Sequence, residues 1–194
     1  MLFKTRRRIP LYQSLLQDSR FLPVLLKLDE VLAAEARETG CPCGGRLDRA
    51  DYERKPRGGP EGVGADCARR FSFCCAVEGC RRRCTPASLR FLGRKVFFGV
   101  VVLLIPVLRD GATPTRLSRL SQEFFVSPRT IRRWCRYWRE AFVASRVWAA
   151  ARGFFGTPVK VDAMPRSLIE AFPAVGEVGT TVVSALRLVG GQAF

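Results

Sequence analysis

The sequence predicts a mainly α fold that carries a small β ribbon in its first half and two short, closely linked helices in its second. Three observations lead there. Apolar residues recur at helical spacing over Leu11–Arg37 and Ile131–Phe142, and Val96–Leu108 is apolar almost without interruption. Between Gly40 and Cys84 these runs give way to glycine, proline, arginine and cysteine, a composition with too little apolar side chain for a core of its own. Finally, Thr113-Pro114 and Ser127-Pro128 each join a capping hydroxyl to a proline at the first helical position. With 194 residues, 47% of them apolar, the chain can bury a substantial core. The changes in composition divide it into 1–38, 39–92, 93–152 and 153–194.

In the first segment Leu15, Leu16, Leu22, Val24, Leu25, Leu28, Val31 and Leu32 mark one or two amphipathic helices, with Pro23 as a break or a new start. In the second, Lys55–Gly64 reads as an exposed, flexible loop between two cysteine pairs. The first pair is Cys41-Pro42-Cys43-Gly44-Gly45, where the glycines let backbone amides turn toward thiolate sulfur. The second follows the strand-like Phe71-Ser72-Phe73 and runs from Cys74-Cys75 to Gly79-Cys80. Two such knuckles converging on one tetrahedral zinc replace the missing core, with Cys41, Cys43, Cys75 and Cys80 as the expected ligands. Cys74 and Cys84 are the substitutes, because the pair spacings differ from the usual two intervening residues; Cys67 and Cys135 stand aside. Histidine is absent, so a zinc site here draws on cysteine, with a carboxylate as the other ligand type open to it, and no Ser-His-Asp or Cys-His arrangement can be built from this chain. Free or buried thiols are the competing account of the same eight cysteines.

Val96–Leu108 is shorter than the roughly 20 residues of a membrane span and is expected to be a buried helix. Behind it, Leu117, Leu120 and Phe124 form the apolar face of one helix, and Phe125-Val126-Ser127 a turn. In the next helix Ile131, Trp134, Cys135, Trp138 and Phe142 face inward, while Arg129, Arg132, Arg133 and Arg136 take the other side. This is the layout of a helix-turn-helix whose second helix reads DNA, with Ser127, Arg129, Thr130, Arg132, Arg133 and Arg136 at the interface. A solvated basic face is the plainer alternative, and Phe125 stands where such turns commonly have glycine. The last segment reads as a loop, Gly153–Pro165, then helices near Arg166–Phe172 and Thr180–Val189.

Charge points the same way. Lysine and arginine number 33 against 17 acidic residues, a net +16, which favours a polyanionic partner. The start carries Lys4, Arg6, Arg7 and Arg8 with no apolar signal core directly behind, so a reducing, cytoplasmic and nucleoid-associated setting with no membrane partner is expected.

The order CPCGG, then FSFCCAVEGCRRRCTPASLRFLGRK, then LSRLSQEFFVSPRTIRRW resembles bacterial insertion-sequence transposases and related proteins with an N-terminal zinc ribbon, over roughly residues 40–139. The resemblance implies that ribbon and arginine helix bind the ends of a mobile element, alongside a catalytic transposase or a second copy of the chain. A whole enzyme of that kind also needs a ribonuclease-H-like domain with three metal-holding carboxylates. Residues 139–194 are too few for it, and Asp162, Glu170 and Glu177 lack the strand context, so they are expected to be solvated surface acids and the chain non-catalytic. A zinc-ribbon transcriptional regulator and a basic protein-interaction module are the competing functions; the last predicts only weak, sequence-independent DNA binding.

Overall fold

The structure, a computed structural model, describes residues 2–93, 95–109, 112–173 and 177–190, with side chains from Pro10 onward. The side chains of Lys4, Arg6, Arg7 and Arg8 therefore lie outside it. Helices take about 54% of the chain, and the β structure is small and antiparallel.

Two helices open the chain, α1 (Leu2–Gln17) and α2 (Phe21–Thr39). The break falls at Asp18–Arg20 rather than at Pro23, which sits in the first turn of α2, where its missing N–H leaves no bond unmade. Two small antiparallel sheets follow. Strands β1 (Leu47–Arg49), β4 (Phe73–Cys75) and β5 (Arg83–Cys84) form the first, in the order β1-β4-β5; β2 (Tyr52–Glu53) and β3 (Arg69–Arg70) form the second. The expected strand at Phe71–Phe73 begins two residues later, because the Ser72 amide turns to the Asp51 carboxylate, 3.0 Å away.

The loop expected to be free is anchored. Arg57 pairs with Phe97, and Gly58 and Gly59 press so closely on Val101 and Phe98 that an added Cβ would meet them at 2.9 and 2.7 Å. That pairing also explains why the apolar helix α3 (Gly99–Arg109) starts three residues later than its composition suggests: Phe97 and Phe98 are held by the loop.

Helix α3 is buried from Gly99 to Leu108, and α1, α5 (Pro128–Arg139) and α8 (Val178–Val189) pack around it. It contains Pro106, which has no N–H to donate to the carbonyl of Val102 one turn earlier. Trp138 of α5 fills the gap: its indole N–H donates to that carbonyl at 3.0 Å, and the side chain is fully buried. Aromatic rings continue outward from this joint, Trp138 to Phe142 at 5.1 Å, Phe142 to Trp148 at 5.9 Å and Trp148 to Phe155 at 6.0 Å. The ladder crosses α6 (Arg146–Ala151), a helix not expected from the sequence, and two short 3-10 turns follow before α7 (Arg166–Ala171). One core cluster joins residues from every part of the chain, among them Leu22, Leu89, Leu104, Trp138 and Leu186; a smaller one lies beneath the cysteines.

The ribbon is tied to α2 by a charge. Asp29 and Arg90 are both fully buried, with Arg90 Nε 2.8 Å from the carboxylate. Asp29 also accepts from the Leu89 amide at 2.6 Å and from the Ser88 hydroxyl. The guanidinium donates onward to the Asp66 and Cys67 carbonyls and lies between the rings of Phe71 and Phe91.

Candidate metal centre and basic helix

The four expected ligands are the four cysteines that the fold brings together. The sulfurs of Cys41, Cys43, Cys75 and Cys80 all lie within 4.8 Å of one another. Cys41 and Cys80 approach to 3.7 Å and Cys43 and Cys75 to 3.5 Å. A tetrahedral ion bound at about 2.3 Å to each sulfur sets them about 3.8 Å apart, so the cluster can hold a metal ion with little adjustment. The first knuckle is closed by the Gly44 amide on the Cys41 carbonyl and by the Cys41 amide on Gly45. Gly44 takes φ +80°, the left-handed region open to glycine. Gly45 is there for a second reason, since a Cβ on it would stand 2.7 Å from Cys75 Sγ and 2.5 Å from Val77 Cγ2. The second knuckle leaves the end of β4 and turns at Gly79, φ +88°.

The four sulfurs are not electrostatically equal. The Gly45 N–H, followed by the Cys41, Cys80 and Cys75 thiols, favours the thiolate of Cys43 and brings its pKa down to about 7. At Cys75 the Val77 N–H pulls the same way, but burial and the three neighbouring thiols outweigh it and push the pKa up to about 12. A bound cation favours all four thiolates at once. Cys74, Cys84, Cys67 and Cys135 lie outside the cluster; Cys74 turns its thiol to the Arg81 carbonyl, and Cys135 accepts from Arg109 Nη1 at 3.2 Å.

The second predicted site lies on α4 (Pro114–Glu123) and α5. Both caps form as the sequence requires: the Thr113 hydroxyl accepts from the Arg116 amide at 3.3 Å and the Ser127 hydroxyl from the Thr130 amide at 3.2 Å. Between the helices Phe125 adopts φ +50° and is 84% exposed, so the turn is made in the conformation glycine favours, without glycine. Ile131, Trp134, Cys135 and Trp138 are buried. Ser127, Arg129, Arg132, Arg133 and Arg136 are exposed, with Thr130 half-buried beside them. Among the described residues no carboxylate ion-pairs with any of these arginines. Lys95, which carries no motif signal of its own, joins this surface. Its ammonium lies 3.9 Å from the centre of the Tyr137 ring, and burial, with the Arg133 charge added, holds its pKa below the usual lysine value.

Asp162, Glu170 and Glu177 are exposed. Among the described residues no helix is long and apolar enough to cross a membrane. Comparison with protein-family models, curated proteins and solved structures gives no match.

Proposed function

We propose that the chain is a DNA-binding protein of a mobile genetic element, transposase-like and non-catalytic, with a structural zinc held by Cys41, Cys43, Cys75 and Cys80 and a helix-turn-helix formed by α4 and α5. The observation that carries the reading is the α5 surface. Its arginines are exposed and lack carboxylate partners among the described residues, on a helix whose opposite face is fixed in the core. A helix that only needs solvation gains nothing from four like charges along one side, whereas phosphates and guanine edges match arginine forks. Zinc fits the metal centre because four thiolates in a tetrahedron suit it. In this arrangement Ser127 caps the helix at the groove and, with Thr130, contacts phosphate, Arg129, Arg132 and Arg133 face base edges, and Arg136 follows the backbone.

The test is selection of a binding site from random duplexes by the zinc-loaded full chain, followed by affinity measurement with Arg132→Ala and Arg133→Ala. One enriched sequence is expected, with each variant losing about 1–3 kcal/mol and tolerating substitutions at one position of the site. Equal losses on every sequence would reduce the reading to phosphate contact, as a protein-interaction module predicts.

A further inference from the structure

The turn between α4 and α5 carries the most exposed large apolar side chain among the described residues, Phe125, on a backbone that disfavours it. At φ +50° a bulky side chain crowds its own main chain, and glycine would sit there without strain. Such strain persists only where the surroundings fix the chain. Here they do. Phe124 and Val126 on either side are buried, the Phe125 amide donates to the Gln122 carbonyl at 3.3 Å, and the Val126 amide donates to the Ser121 carbonyl at 3.0 Å. The Ser121 hydroxyl closes the turn by donating to the Val126 carbonyl at 2.6 Å. The ring of Phe125 belongs to neither core cluster. It gains no burial to offset the strain, so the fold itself gives no reason for phenylalanine at this position.

What the ring meets follows from its neighbours. Phe125 stands two residues ahead of Ser127, the cap of α5, with exposed Arg129 just behind the cap. The carboxylate nearest in sequence, Glu123, is engaged by the Gln17 amide of α1. An apolar ring at the leading end of a basic helix suits a polyanion that also presents an apolar spot. On the major-groove edges of a DNA duplex that spot is the 5-methyl group of thymine, with which phenylalanine makes apolar contact. We propose that Phe125 reads a thymine by packing on this methyl group, just ahead of the bases that the arginines face. The inference rests on the DNA-binding reading of α5 and adds a requirement that the arginines cannot supply, since their forks select guanine and take no account of a methyl group.

The experiment measures binding of the zinc-loaded full chain to its selected duplex with each thymine replaced in turn by deoxyuridine, which removes the methyl group and nothing else. At one position a loss of roughly threefold to tenfold is expected, the worth of one buried methyl group. Phe125→Gly is expected to bind the thymine and uracil duplexes equally, at reduced affinity, and to melt at or above the parent temperature, because glycine relieves the strain and no packing is lost. A lower melting temperature would assign the ring to the fold and overturn the proposal, whether or not DNA binds. Parent binding indifferent to uracil at every position would overturn it too; if Phe125→Gly then still weakens binding, and 2-aminopurine in the site brightens on binding the parent, the ring is a wedge between base pairs instead. A chain that selects no sequence fails the α5 reading and this inference with it, whereas selection without a uracil effect fails this inference alone.

Discussion

At Gly45 a single hydrogen atom separates a working knuckle from a blocked one. Val77 is partly exposed and can yield to a new methyl group, but the Cys75 sulfur is buried and cannot move without leaving the cluster. Gly45→Ala is therefore expected to weaken metal binding about tenfold to a hundredfold, the loss seen when groups supporting a ligand are disturbed. Competition with a chromogenic chelator measures it, and Gly153→Ala, where an added Cβ meets nothing within 4 Å, serves as the control. Unchanged affinity in Gly45→Ala would mean that the ion does not sit among these sulfurs. The requirement was partly legible, since glycines after a ligand announce a tight turn. Which of the two serves the turn and which the packing was not, because Gly44 is chosen by φ and Gly45 by neighbours that arrive 30 residues later in the chain.

Among the elements, those with a strong local signal formed where the sequence placed them. Ser127-Pro128 and Thr113-Pro114 begin α5 and α4, and the apolar residues from Ile131 to Trp138 face inward, because caps and helical periodicity are written in neighbouring residues. Elements decided by distant partners moved instead. The start of α3 shifts because Arg57 captures Phe97, and β4 is delayed by the Asp51 carboxylate. The contact between Trp138 and Val102 is of the second kind, and it suggests a direct test. Trp138→Phe removes the N–H that the Val102 carbonyl accepts, and a buried acceptor left bare costs about 1–3 kcal/mol, to which the lost ring volume adds. Chemical denaturation is expected to show at least that loss. A variant as stable as the parent would show that the carbonyl finds another donor.

In the whole molecule the ribbon and the helices share a charge they cannot divide. Breaking a buried pair on one side leaves the other charge unpaired, at about 3–5 kcal/mol. Asp29→Ala is expected to lower stability by that amount, and Arg90→Met in the same chain to restore part of it, because the pair is costly only when halved. Denaturation of both variants and of the double variant measures this; additive losses would contradict the pairing. Neither residue is legible as a partner of the other. In the sequence Asp29 is one polar position among apolar ones and Arg90 one of many arginines, and only the closure of the ribbon brings them together. The joint at Pro106 has an effect of a different order. A helix apolar on every side offers its neighbours no reason to prefer one rotation or one level over the next. By withholding one N–H, the proline marks a single point on that smooth surface, and the indole of Trp138 can answer it from only one position along α5. The basic face is thereby given an address: a defect in one helix specifies which way the arginines of another point.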